Sequence, residues 1–155
     1  MTGIRSRHLF DLRSEIAAGS PRQIGKTPLG YERRVTFVSG GTFEGERLSG
    51  KVLSGGGDFV IKRPDGGLHL DVRLVLETNE GESIYLTYGG RRNGSPEVLR
   101  KISAREPIPA GEDYFRASMQ FETSAPRLLW LNDILAIGLG EWEGTGAVYK
   151  VHEVL

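Results

Sequence analysis

Glycine divides this chain into short runs that are rich in β-branched, aliphatic and aromatic residues. The 155-residue sequence has 22 glycines, about twice the ~7% that is usual in proteins. They stand between runs of Val, Ile, Leu, Tyr and Phe, for example at Gly40–Gly41, Gly55–Gly57 and Gly66–Gly67. Short strands separated by frequent turn residues are typical of β-sandwiches and β-barrels. The chain is therefore predicted to be all-β.

The clearest strand pair is a predicted hairpin in the middle of the chain. Aliphatic and charged side chains alternate with period two in Leu70–Thr78, as in a strand with one buried face. A turn follows at Asn79-Glu80-Gly81, and Ser83–Gly89 alternates in the same way. Further strands are predicted at Arg33–Ser39, Arg47–Leu53, Asp58–Lys62, Tyr114–Thr123, Ile134–Gly138 and Ala147–Val154.

Three segments are less regular. His8–Ile16 fits the spacing of a helix and that of a strand, and we favour the strand. Ser124 as N-cap and Pro126 in the first turn predict one short helical segment near 124–132. Arg91–Gly111 is rich in proline and is predicted to be a loop with little regular structure.

The number of strands favours a closed sheet. About nine short strands with little helix leave exposed edges, which invite aggregation unless the sheet closes or stacks. No interdomain linker or internal repeat interrupts the sequence, and a chain of this size buries roughly two thirds of its unfolded surface. Residues 1–155 are therefore predicted to form a single closed or nearly closed, mainly antiparallel β-barrel.

Composition excludes or disfavours several classes of protein. The chain has no cysteine, which excludes disulfides, thiol catalysis and iron–sulfur sites. Twenty Lys and Arg balance twenty Asp and Glu, so the basic surface that nucleic-acid binding needs is not expected. No run of 18 apolar residues and no targeting segment is recognised. We expect a cytoplasmic protein that binds neither nucleic acid nor membrane.

Cofactor motifs are incomplete. Gly25-Lys26-Thr27 resembles the end of a phosphate-binding loop, but Ser20 stands where its first glycine is required. Gly138-Leu139-Gly140 lacks the third glycine of a dinucleotide-binding motif, because Glu143 occupies that position. The three histidines are far apart in sequence, which disfavours a metal site. We expect no cofactor and no metal.

Charged strand faces are the remaining candidates for chemistry. Asp71, Arg73 and Glu77 share one face of a predicted strand, and Arg116 and Glu122 share a face of another. On an ordinary barrel such faces point to water. In the alternative, they line the interior of a barrel of about eight strands, which is wide enough for one small ligand. In such an interior, burial raises the pKa of a carboxyl group toward 7, which suits the group to acid–base catalysis at neutral pH.

Several segments, taken in order, resemble the domain of unknown function 3237 family. They are Gly40-Gly41, Phe43-Glu44-Gly45, Leu48–Phe59 (LSGKVLSGGGDF), Leu70–Gly81 (LDVRLVLETNEG), Tyr114–Thr123 (YFRASMQFET), Trp130-Leu131-Asn132 and Val148–Val154 (VYKVHEV). The resemblance covers His8 to Leu155, but Ser54, Gly57 and Phe59 replace the proline, alanine and tryptophan of the family pattern. It implies a lipocalin-like or allene-oxide-cyclase-like barrel that binds a small apolar or aromatic molecule. Some proteins of that architecture are cyclases, isomerases or lyases that use no cofactor.

The first functional hypothesis is a cofactor-free enzyme that acts on a small organic molecule inside the barrel. Its predicted catalytic residues, which supply acid–base groups and cations, are Asp71, Arg73, Arg116 and Glu122. Its predicted ligand-binding residues are Asp58, Phe59, Glu77, Tyr85, Tyr88, Trp130 and Asn132. Asp58 is expected at the pocket mouth because it follows a triple-glycine turn.

The second hypothesis is a barrel without chemistry. Its polar residues would fix a small-molecule ligand or hold the barrel closed. In one variant the protein is a structural homo-oligomer, in which exposed Trp130, Trp142 and Tyr149 cover an interface. The two hypotheses differ in whether the charged strand faces enclose a cavity.

Overall fold

Ten β-strands form one antiparallel sheet that closes on itself, as the sequence predicts. The structure is a computed structural model that describes residues 3–155. The strands are β1 (Ser6–Ile16), β2 (Arg22–Lys26), β3 (Glu32–Glu44), β4 (Ser49–Val52), β5 (Gly57–Lys62), β6 (Leu68–Thr78), β7 (Ser83–Asn93), β8 (Tyr114–Glu122), β9 (Ala136–Trp142) and β10 (Ala147–Val154). A helix, α1 (Pro96–Ser103), follows β7, and a 3-10 helix (Pro126–Asp133) follows β8.

Eight strands surround the barrel axis, and β1 closes the circle by pairing with both β10 and β3. The strands β4 and β5 together take the place of one barrel strand, because each of them pairs with β3 on one side and with β6 on the other. The strand β2 pairs with the first part of β3, beyond the part that pairs with β1. These two arrangements account for the two additional strands.

The side-chain alternation seen in the sequence determines which face is interior. Along β6 the aliphatic residues of one parity, from Leu68 to Leu76, are buried, whereas Asp71, Arg73 and Val75 on the opposite face are exposed. At one end of the barrel, the Phe10 ring packs edge-on against Phe43, with ring centroids 5.4 Å apart. Burial of this continuous apolar surface is the main source of stability for such a barrel.

The 3-10 helix lies at this apolar end. Its Leu128 and Leu131 side chains are fully buried, so the helix plugs the barrel. The sequence correctly places a short helical segment here but is wrong about its N-cap. Ala125 precedes the helix instead of Ser124, and no side chain caps it.

Helix α1 corrects the prediction that Arg91–Gly111 has little regular structure. The Ser95 hydroxyl accepts a hydrogen bond from the Val98 amide at 3.2 Å, and a proline begins the helix. These are common helix-start signals, and they were present in the sequence. Val98 and Ile102 are buried, which holds the helix against the barrel.

The predicted strands are all present, although some of their bounds differ, and the structure adds one strand that the sequence does not predict. His8–Ile16 lies in β1, a strand, as favoured. The strand β2 was not predicted, because Arg22–Lys26 has no alternation and all its residues are at least partly exposed. Within residues 3–155, no helix is both long and apolar enough to span a bilayer.

The passage from β4 to β5 depends on glycine. Gly55 has φ +110°, a conformation that residues with a β-carbon rarely adopt. A β-carbon on Gly56 would lie 2.5 Å from the carbonyl oxygen of Arg73 on β6. Glycine therefore allows β5 to start close beside β6, and the next residues of β5 include Asp58.

We predict that Gly56→Ala destabilises the protein by roughly 1–3 kcal/mol, because the added methyl group overlaps with the β6 backbone. Gly89→Ala is the matched control, since its nearest neighbour would be the Leu70 carbonyl oxygen at 3.7 Å. Urea unfolding of both variants measures the difference. Equal losses in the two variants would show that the close approach at Gly56 is unimportant.

Candidate functional site

A cavity opens at the end of the barrel opposite the 3-10 helix. The empty space within and in front of its lining side chains is about 800 Å³, open solvent included. Ile102, Arg105 and Glu106, from the end of α1 and the segment after it, form part of the lining. Much of the wall is aliphatic or aromatic, and the apolar residues include Val38, Val60, Leu68, Leu70, Val72 and Phe115. Such a wall suits a small organic molecule.

Asp58 on β5 lies in this cavity and is bound to the backbone of β6. Its Oδ1 accepts a hydrogen bond from the Asp71 amide at 3.0 Å. The carbonyl oxygen of Phe59 accepts a hydrogen bond from Arg33 Nη1 at 2.8 Å and not from the Asp71 amide. Residues 59 and 71 do not appear in the register of paired residues between the two strands. The Asp58 carboxylate thus satisfies a backbone amide where the ladder is interrupted.

The surroundings of Asp58 alter its acidity. Removal from water raises the pKa of its carboxyl group to about 6, against 3.8 for an ordinary aspartate. The hydrogen bond from the Asp71 amide and the positive charge of Arg34 lower the pKa, but their effect is smaller than that of burial. Asp58 therefore changes protonation state close to neutral pH.

Two arginines bring positive charge to the cavity lining. Arg34 comes from β3, where burial and repulsion by Arg105 and Arg92 lower the pKa of its guanidinium. Arg92 comes from β7, and its Nε donates to Asp113 Oδ2 at 2.9 Å. The side chains of Arg92 and Asp113 are only 8% and 7% exposed. A buried charged pair of this kind fixes the position of the guanidinium.

Two tyrosines and a tryptophan complete the polar part of the lining. Tyr88 and Tyr149 are buried, and their ring centroids are 5.2 Å apart. Burial raises the pKa of both hydroxyls, so both stay protonated at neutral pH. The Trp142 indole nitrogen is also buried and has no hydrogen-bond partner among residues 3–155.

Glycines on β9 leave room for these side chains. A β-carbon on Gly138 would lie 2.9 Å from the Tyr149 ring, and one on Gly140 would lie 2.5 Å from the Phe115 ring. Both rings line the cavity. The two glycines that resemble part of a dinucleotide motif thus have a packing role.

Two of the residues predicted to bind ligand, Asp58 and Tyr88, lie together in the cavity. The four residues predicted to be catalytic, Asp71, Arg73, Arg116 and Glu122, do not line the cavity and lie on the outer face of the barrel. Their strand neighbours are the aliphatic and aromatic residues that fill the interior. The geometry therefore gives no support to their predicted catalytic role.

The other predicted ligand-binding residues also lie away from the cavity. Phe59 is near the exposed Arg73, and Glu77 forms an ion pair with Lys51 at 3.4 Å. Tyr85 is exposed on the outer face of β7. Trp130 and Asn132 belong to the 3-10 helix at the opposite end of the barrel.

The expected interface of Trp130, Trp142 and Tyr149 is wrong for two of these residues. Tyr149 is 2% exposed, and Trp142 lines the cavity with a buried indole nitrogen. Trp130 is partly buried, and the Arg47 guanidinium lies 3.6 Å from its ring centroid. These aromatic groups contact their own chain instead of forming one exposed surface.

Sequence reasoning missed Arg34, Arg92, Tyr149 and Arg105. Strand parity could have identified three of them, because Arg34 shares a face with Val38, and Arg92 shares a face with Tyr88. Tyr149 alternates inward with Val151 in the same way. Arg105 follows α1 with φ 58°, and no local pattern indicates that it reaches the cavity.

The donor set does not suit a metal ion. In the described part of the chain, no three His, Asp or Glu side chains cluster in a way that could hold one. Within the cavity, carboxylates are accompanied by arginines and tyrosine hydroxyls. This arrangement can exchange a proton with a bound molecule and can donate hydrogen bonds to its oxygen atoms.

Residues 5–154 match the family described as protein of unknown function (DUF3237). A UPF0311 protein of Rhodopseudomonas palustris (strain TIE-1) is 34% identical over 152 residues, which cover 98% of this chain and 97% of that protein. A UPF0311 protein of Bradyrhizobium diazoefficiens is 29% identical over 150 residues, with 97% and 96% covered.

Solved structures show the same fold. A conserved protein of unknown function from Rhodopseudomonas palustris has a TM-score of 0.91 at 32% identity, covering 100% of this chain and 99% of that one. A beta-barrel like protein from Acinetobacter baumannii AYE has a TM-score of 0.86 at 32% identity, with 100% and 98% covered. An enzyme from Penicillium herquei shares the fold at 18% identity and a TM-score of 0.73, with 100% and 97% covered. The chain belongs to the DUF3237 family.

Proposed function

We propose that this barrel is a cofactor-free enzyme that moves a proton on a small apolar or aromatic molecule bound in its cavity. Asp58 is the acid–base group in this proposal. The observation that carries it is the position of Asp58: its carboxyl group lies inside a largely apolar cavity, near an arginine and two tyrosines. The proposed reaction class is an isomerisation, cyclisation or elimination that begins with removal of a proton.

The acidity of Asp58 supports this role. A general base works best when its pKa lies near the working pH, because it is then available and still basic enough to accept the proton. With a pKa of about 6, the Asp58 carboxyl group is mostly ionised at pH 7 and remains a stronger base than an exposed aspartate. After accepting the proton, the same group can return it to another atom of the substrate.

The neighbouring groups support stabilisation of the charge that this step creates. Removal of a proton next to a carbonyl group leaves negative charge on the oxygen atom. Arg34 supplies positive charge, and the protonated hydroxyls of Tyr88 and Tyr149 are hydrogen-bond donors. Fixed donors in a site from which water is largely excluded lower the energy of such an oxyanion.

The shared fold adds a weaker argument. The Penicillium herquei protein that has this fold is described as an enzyme. Likeness of fold does not transfer a substrate, because unrelated activities often occupy the same fold. It supports only the use of this type of barrel for catalysis.

The second candidate is a binding barrel without chemistry. The hydrogen bond that the Asp71 amide donates to Asp58 favours it, because this bond gives the carboxylate a structural role that needs no substrate. In this case Asp58 would serve only to satisfy the Asp71 amide. The two candidates differ in the effect of removing the acid–base capacity of Asp58.

We predict that Asp58→Asn stabilises the protein at about pH 8 by roughly 1–3 kcal/mol, since a shift of one pKa unit corresponds to about 1.4 kcal/mol. Because the folded state raises the pKa of Asp58 from 3.8 to about 6, it holds this proton more tightly than the unfolded state does. Ionisation therefore lowers the free energy of unfolding as the pH rises through this range. The gain should be complete above about pH 6 and should vanish below about pH 4.

Urea unfolding at several pH values measures this difference. The side-chain amide oxygen that Asp58→Asn introduces would still accept from the Asp71 amide, so only the charge is removed. Asp133→Asn is the matched control because its side chain is exposed on the 3-10 helix at the opposite end of the barrel. A gain for Asp58→Asn that does not depend on pH would mean that Asp58 is not held in an unfavourable ionised state.

We further predict that the protein catalyses the exchange of carbon-bound hydrogen for solvent deuterium in small aromatic ketones or related carbon acids. Mass spectrometry of a compound set incubated in D₂O identifies the compounds that gain deuterium. For these compounds, Asp58→Asn should lower the exchange rate about 10²–10⁴-fold, the usual contribution of a general base. Asp133→Asn should retain the rate of the unaltered protein. Exchange that persists in Asp58→Asn would contradict the role of Asp58.

A further inference from the structure

We infer that the ligand of this cavity is an organic anion, with an apolar or aromatic body and one carboxylate or acidic hydroxyl group bound by Arg34 and Arg92. This inference rests on the proposed function and specifies its substrate class. Its starting point is a set of polar atoms that the folded chain itself leaves without partners.

Unpaired hydrogen-bond donors are concentrated at the cavity. Among residues 3–155, four side chains have a buried nitrogen atom without a hydrogen-bond partner. Three of these, Arg34, Arg92 and Trp142, line this cavity, whereas the fourth, His69, does not. In these three cavity-lining residues the atoms without a partner are all N–H donors: Arg34 Nε, Arg92 Nη2 and Trp142 Nε1. Buried donors without acceptors are costly and rare in folded proteins, so a ligand that supplies acceptor oxygens would remove this cost.

Arg92 is held ready for such a ligand. Asp113 binds its Nε, and the guanidinium carbon lies 4.8 Å from the Phe115 ring centroid and 5.7 Å from that of Trp142. These contacts fix the side chain and leave Nη2 unpaired. A donor that is already fixed loses little entropy when it binds a ligand.

The charge around Arg34 favours an anion. Arg105 and Arg92 repel its guanidinium, and the nearby groups that offset this repulsion are Asp58 and Glu32. When Asp58 is protonated, its part of this compensation is lost, and the net positive charge around Arg34 increases. A ligand anion would restore the balance, because a charge buried in an apolar site needs a partner of opposite sign.

Other ligand charges fit less well. A cation would face three arginines, and the Trp142 ring is already near the guanidinium groups of Arg92 and Arg105, at 5.7 and 5.8 Å. A strongly hydrated ion such as inorganic phosphate would lose its water shell to a wall that is mainly aliphatic and aromatic. An organic molecule with one singly charged anionic group fits better, because its apolar body contacts the apolar wall and its anionic group contacts the arginines.

Binding of an anion also changes the proton on Asp58. The charged or titratable groups around Asp58 are Arg34 on β3, Asp71 on β6, Tyr88 and Arg92 on β7, Tyr149 on β10, and Arg105 and Glu106 at the mouth. The tyrosines stay neutral, so a ligand anion beside Arg34 competes with ionised Asp58 for the same positive charge. The anion therefore makes the Asp58 carboxylate a stronger base, and its binding at pH 7 should be accompanied by partial proton uptake that leaves part of Asp58 ionised to act as the base.

Calorimetric titration of the full chain with 2-naphthoate and with its neutral analogue 2-naphthamide tests the inference. We expect 2-naphthoate to bind at least about ten-fold more tightly at pH 7, and Arg34→Gln to abolish this preference. Trp142→Phe, which keeps an aromatic ring but removes one donor, should weaken 2-naphthoate binding by about three-fold or more. Arg73→Gln on the outer face is the matched control and should change nothing. Inorganic phosphate should not compete.

Three results would overturn the inference: equal affinity for the two compounds, no binding of either compound, or a preference for 2-naphthoate that survives in both Arg34→Gln and Trp142→Phe. Competition by inorganic phosphate would also overturn it, because the site would then be a general anion site. Titrations in two buffers of different ionisation enthalpy measure proton uptake. If 2-naphthoate is preferred but Asp58→Asn leaves proton uptake unchanged, the anion site stands and the proposed acid–base role of Asp58 fails.

Discussion

The carboxyl group of Asp58 inside the barrel is the feature on which the rest of the site depends. Between β5 and β6 the backbone ladder is interrupted, and the Asp58 carboxylate accepts the Asp71 amide at 3.0 Å. A carboxylate placed among aliphatic side chains is unfavourable unless positive charge lies nearby. Arg34 from the neighbouring strand β3 supplies this charge, and the buried Tyr88 and Tyr149 surround the same space. The polar groups of the cavity are thus interdependent.

The two ends of the barrel differ: one is packed with apolar side chains, and the other contains the candidate site. At one end, Phe10, Phe43 and the 3-10 helix fill the interior with apolar side chains that are almost fully buried. At the other end, the interior contains a cavity with an unfavourably buried carboxyl group and unpaired N–H donors. Proteins commonly keep such locally unfavourable groups where function requires them and offset their cost elsewhere in the structure. The well-packed end therefore allows the open end to remain polar.

Local patterns were sufficient to predict the barrel but not the site. Period-two alternation in β6 and β7 and the glycine turns identified the strands, because each depends on neighbouring residues only. The site depends on which face closes around the axis, a property of the whole sheet. The alternating charges on β6 made Arg73 a predicted site residue. The interior arginines are instead Arg34 and Arg92, and each has apolar residues of the same parity as its neighbours. Arg105 reaches the cavity only because α1 folds against the barrel, and no local pattern contains that information.

The most direct test of this account is the titration of Asp58 in the free protein. Carbon-13 NMR of the aspartate carboxyl carbons, with Asp58→Asn used to assign the signal, follows its protonation as the pH changes. The account predicts that the pKa of the Asp58 carboxyl group is about 6. A value near 3.8, that of an ordinary aspartate, would show that water reaches the carboxylate freely. The cavity would then lack the acid–base group around which the proposed function is built.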